Sequence, residues 1–75
     1  MTLRVYVDFN TMLEQDDKRV HINTVVHPEY LNDLRPGLPL ILYDETMEVG
    51  GVAEFDERWG WFGVPDWSTR IDYPL

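Results

Sequence analysis

Residues 34–66 read LRPGLPLILYDETMEVGGVAEFDERWGWFGVPD, and the pattern inside this stretch decides the fold class. Met47, Val49, Gly51, Ala53 and Phe55 fall on one side of an alternating run, and Glu48, Gly50, Val52 and Glu54 on the other. A period of two is the mark of a strand with one wet face. Upstream, Pro39 to Tyr43 is apolar almost throughout, which predicts a strand covered on both faces. Asp44, Glu45 and Thr46 break that run, and Asp56, Glu57 and Arg58 make a second turn before Trp59 to Val64 returns. The stretch therefore reads as a three-stranded meander.

Working outward, Leu3, Val5, Val7 and Phe9 alternate with polar residues and predict a first strand. A polar segment from Asn10 to Lys18 follows, with Met12 and Leu13 at its loop tip. Arg19 to Val26 places Val20, Ile22 and Thr24 on one face, so a second strand forming a long-looped hairpin with the first is expected. Pro28 to Asp33 suits one or two helical turns, because proline fits the first helical position and Glu29 meets the positive end of the helix dipole. Beyond the meander, Pro65 to Thr69 reads as a turn and Arg70 to Tyr73 as a short edge strand.

Strands this short and evenly spaced predict a single all-β domain over residues 1–75, a small barrel of five or six strands. A Src-homology-3-like barrel fits best, with its long first loop and a helical turn before the last strand. An oligonucleotide/oligosaccharide-binding barrel would usually need a longer helix. The expected core is Val5, Val7, Ile22, Leu40, Leu42, Phe55 and Val64, with Ile41 ambiguous.

Composition narrows the function classes. Fourteen acidic residues against six basic ones leave a formal charge of −8. Phosphate binding depends first on cations, so nucleic acid is disfavoured as a partner, and an anionic membrane surface likewise. The absence of cysteine removes disulfide frameworks and thiol chemistry. No export signal or membrane-length apolar run is visible, so a cytoplasmic setting is expected.

Catalytic and metal motifs are weak. The pairs Asp16-Asp17, Asp44-Glu45 and Asp56-Glu57 all fall in turns, where acids are solvated and no raised pKa is implied. His21 and His27 lack a third ligand at metal spacing, and Ser68 sits in no nucleophile elbow. Gly50-Gly51 lies inside a strand and makes no phosphate loop. No catalytic residue, metal or cofactor is expected.

The three tryptophans carry more information. If Phe62 and Val64 point inward, Trp59 and Trp61 stand outside, joined by Trp67 and Tyr73. Exposed rings rimmed by acids mark a contact surface. The candidate partner-binding set is therefore Trp59, Trp61, Phe62, Trp67 and Tyr73, with Asp56, Glu57 and Asp66 as its rim.

Short motifs also carry a resemblance. Ile22-Asn23-Thr24, Leu34 with Gly37, Gly51-Val52 with Phe55-Asp56, and Asp66-Trp67 look like a group of small bacterial β-barrel proteins with a terminal Asp-Trp. Trp59-Gly60-Trp61-Phe62-Gly63 departs from the more aliphatic strand of that group. The group has no established activity, so the resemblance implies a barrel and no chemistry. Sequence reasoning thus points to a non-catalytic interaction module whose partner is a protein, basic by charge complementarity, or a second copy. The alternatives are an acidic mimic that blocks a nucleic-acid-binding protein and a small-ligand or sugar binder with an aromatic groove.

Overall fold

A computed structural model describes residues 2–12 and 18–74. Among the described residues the fold is all-β, with six strands: β1 (Leu3–Tyr6), β2 (Val20–His21), β3 (Pro39–Tyr43), β4 (Met47–Asp56), β5 (Gly60–Pro65) and β6 (Ile71–Asp72). The helical segments are short 3-10 turns at Phe9–Thr11, Pro28–Asn32 and Trp67–Thr69. The second of these answers to the helical segment expected over Pro28 to Asp33, with proline in its first turn. Leu13 and the Asp16-Asp17 pair lie outside the described residues, and Met12 packs against the core.

The meander forms as its alternation requires. β3 and β4 pair antiparallel from Pro39↔Val52 to Tyr43↔Glu48, and β4 and β5 from Gly51↔Pro65 to Asp56↔Gly60. The hairpin expected between β1 and β2 does not form. β1 lies parallel to β3, with Leu3 opposite Leu40 and Tyr6 opposite Tyr43, while β2 lies antiparallel to β5. Alternation fixes which face of a strand is buried but does not choose its partner. The long connection between β1 and β2 ties neither strand to the other, and outer-face contacts favour β3. The Arg4 guanidinium sits 4.7 Å from the Tyr43 ring centroid, and Tyr6 meets Tyr43 edge-on at 5.6 Å.

The strand order is therefore β1-β3-β4-β5-β2, with β6 beside β4. Among the described residues no ladder joins β1 to β2, so the expected barrel is left open along that seam. On the β1 side, the N–H of Tyr6 donates to the hydroxyl of Tyr30 at 3.1 Å, so a side chain from the Pro28–Asn32 turn stands where a strand would.

The core is Val5, Val7, Val20, Ile22, Leu34, Leu40, Leu42, Val49 and Ala53. Two expected members are absent. Phe55 keeps the inward phase of β4 but is 49% exposed, because the β3 ladder stops at Val52. Val64 is only half-buried and pairs with Val52 on the outer face. Gly63 fixes that phase: a Cβ there would lie 2.5 Å from Leu42 Cδ2, so any side chain would have to displace Leu42 where β5 crosses the core. β3 also alternates, with Leu40 and Leu42 buried and Ile41 and Tyr43 half-buried.

Candidate functional site

Gly63 pointing inward turns Trp61 inward as well and sends Phe62 out, the reverse of the orientation expected from the sequence. Trp61 packs against the core and meets Phe55 edge-on at 5.1 Å. Phe62 lies on the outer face under the Arg19 guanidinium, 4.1 Å from the ring centroid, with His21 edge-on at 5.3 Å. Phe62 is thus covered by its own chain.

The hairpin between β4 and β5 nevertheless gathers five of the eight candidate residues. Asp56 pairs with Gly60, and Glu57, Arg58 and Trp59 form the loop between them. Gly60 has φ +92°, the left-handed conformation that lets a three-residue turn rejoin the ladder. Asp56 Oδ1 accepts from the N–H of Arg58 at 2.8 Å and of Trp59 at 2.9 Å, and Oδ2 pairs with Arg19 at 3.2 Å. The Arg58 N–H first, then that of Trp59, and the contact with Arg19 hold this carboxyl below its ordinary range. A shaped turn therefore presents Trp59, which is 62% exposed and flanked by the Arg58 guanidinium at 5.5 Å. Glu57 is exposed beside it.

The other three lie at the opposite end of β5, whose six residues span roughly 20 Å. Asp66 caps the Trp67–Thr69 turn by accepting from the N–H and hydroxyl of Ser68. Trp67 rests on Phe9 at 6.0 Å, and the Tyr73 hydroxyl donates to Glu48 at 3.1 Å. The single patch joining all three tryptophans does not assemble. The ring that sequence reasoning missed at the hairpin is Phe55. Its signal was length, since the alternating run of β4 is longer than the apolar run of β3.

A second feature was not legible in any one motif. The seam between β1 and β2 holds a cavity of about 240 Å3, with Tyr6, Asp8 and Thr11 on one side and His21, Asn23 and His27 on the other. The Tyr6 and His27 rings stand 6.1 Å apart, tilted by 54°. The Tyr6 hydroxyl donates to the Glu45 carboxylate; that bond first, then burial and the charges of Glu45, Asp44 and Asp8, push the phenol up to about 12. No group of three or more histidine, aspartate or glutamate side chains able to hold a metal ion occurs among the described residues.

Comparison with protein-family models, with curated proteins and with solved structures finds no match. The resemblance to small bacterial barrels rests on its short motifs alone.

Proposed function

We propose that this chain is a non-catalytic interaction module. The surface it offers is the end of the β4–β5 hairpin, and the partner is a protein with a basic contact segment or a second copy of the chain. One observation carries this reading: Phe55 and Trp59 are 49% and 62% exposed on a hairpin whose turn is fixed by Asp56. Rings held in place lose little freedom on binding, and tryptophan at a contact centre can contribute about 2 kcal/mol or more. Glu54 and Glu57 stand exposed around them, in a chain of net charge −8, so a basic partner is steered in and nucleic acid is repelled. No helix among the described residues is long and apolar enough to cross a membrane. A cytoplasmic setting belongs to the same proposal. So does the Src-homology-3-like arrangement, supported by the meander and the helical turn before the last strand.

The test compares the wild-type chain with Trp59→Ala and Phe55→Ala. Sedimentation measures self-association, and capture of basic proteins is measured at low and high salt. Each variant should weaken one of the two by about tenfold or more, corresponding to about 1.4 kcal/mol per decade. If both variants associate and capture as the wild type does, the hairpin end is not the contact surface.

A further inference from the structure

The cavity along the open seam takes no part in the hairpin surface, and its chemistry is of a different kind. Among the described residues its lining holds no lysine or arginine. Asp8 supplies a carboxylate whose Oδ1 accepts the Asn10 N–H at 3.0 Å, which leaves the second oxygen for a ligand. Two rings make walls: Tyr6, and His27, which stacks on Tyr30 at 5.2 Å with its Nδ1 3.2 Å from Glu29. Asn23 has its Oδ1 engaged by the N–H groups of Val25 and Val26, so its amide N–H2 is the group left for an acceptor beside the ligand. Asp44 and Glu45 add negative charge around Tyr6.

Each ligand class meets a specific objection or fit here. An inorganic anion faces Asp8 with no opposing lysine or arginine. A divalent metal lacks a ligand cluster among the described residues. A purely apolar ligand would cover the second oxygen of the Asp8 carboxylate without giving it a partner, which is costly. An organic cation meets both requirements, since aromatic faces attract cations and a carboxylate pairs with them. The volume of about 240 Å3 lies below the roughly 300–1,000 Å3 of sites for drug-sized ligands, so it suits one group and a short stem.

We infer that the seam cavity is a binding site for a guanidinium or ammonium group, held against the wall that the Tyr6 and His27 rings make together, with Asp8 as counter-charge. The group belongs either to a free amine or to an arginine or lysine side chain of another protein. The inference is independent of the hairpin surface, because the two are built from different residues.

Amide chemical-shift titration of the full chain tests it, at a mildly alkaline pH above the ordinary imidazole range. The probes are agmatine, butylurea as an uncharged isostere of its guanidinium end, a blocked arginine amide and inorganic phosphate. Agmatine and blocked arginine should produce saturable shifts at Tyr6, Asp8, His21, Asn23 and His27, and the isostere and phosphate none. Tighter binding of blocked arginine assigns the group to a protein side chain, and tighter binding of agmatine to a free amine. Asp8→Asn keeps an oxygen for the Asn10 N–H and should weaken agmatine by about tenfold or more, while Trp59→Ala should leave it unchanged. The inference is overturned if the isostere binds as well as agmatine, if phosphate shifts these residues instead, or if no probe saturates. Equal agmatine affinity in a folded Asp8→Asn chain would overturn it as well.

Discussion

The base and the far end of the β4–β5 ribbon share the same two strands and the same inward phase, yet they have different fates. At the base, Val49 lies opposite Leu42 of β3, Gly63 faces it, and both are buried with Ala53. At the far end, Phe55 and Trp61 keep that phase, but β3 has stopped, and the rings are left half-covered with Trp59 beyond them. Burial along a strand is thus set by the length of its neighbour as much as by its own alternation. The same ribbon builds core at one end and offers contact surface at the other.

The sharpest way to break this comparison is at the base. Leu42→Ala should destabilise by about 2–5 kcal/mol, as expected for a fully buried leucine with a cavity left behind. Gly63→Ala should cost about 1–3 kcal/mol, because its methyl would be driven into Leu42. Denaturant unfolding measures both. A change below about 0.5 kcal/mol at either position would show that β5 does not cross the core as described.

Nearer the far end the effects should shrink. Trp61→Ala should cost about 1–2 kcal/mol, since its ring is only partly buried but packs on the core. Trp59→Ala should change the stability by less than about 0.5 kcal/mol. Equal losses at the two tryptophans would erase the distinction between the two ends.

Acid should weaken the turn through Asp56. Its carboxyl is held below the ordinary value of 3.8 in the folded chain, so its contribution is present above that value and is lost as pH falls through the depressed one. Asp56→Asn still accepts the turn's N–H groups but does not titrate. The thermal midpoint of wild type should therefore fall more between neutral pH and pH ~3 than that of Asp56→Asn. Parallel pH curves would mean the charge adds nothing to the turn.

What the sequence disclosed follows the same physics. The meander, the helical segment at Pro28 and the buried Val5, Val7, Ile22, Leu40 and Leu42 were legible because period and turn residues are local signals. The partner of β1 was not, because nothing in Leu3 to Tyr6 distinguishes β3 from β2 as a neighbour. The direction of Trp61 and Phe62 was misread for one reason. A glycine can mark either a groove on the outside or a tight crossing on the inside, and only the position of Leu42 decides which. The seam cavity draws on two segments, Tyr6 to Thr11 and His21 to His27, that only the open seam brings face to face, so no single motif could announce it.

The parallel pairing of β1 with β3 also bears on the order in which the molecule assembles. Leu3 meets Leu40, whereas Ala53 meets Gly63 across a short turn. Closing a longer loop costs more chain entropy, so the β4–β5 ribbon is favoured to form early, with β1 docking late onto an edge already made. A chain emerging from synthesis with its N-terminus first would hold that strand without a partner until β3 follows. Truncating Ala53 to glycine should then slow refolding, while Val5→Ala should mainly speed unfolding. Stopped-flow chevrons with the opposite partition would place β1 in the nucleus instead.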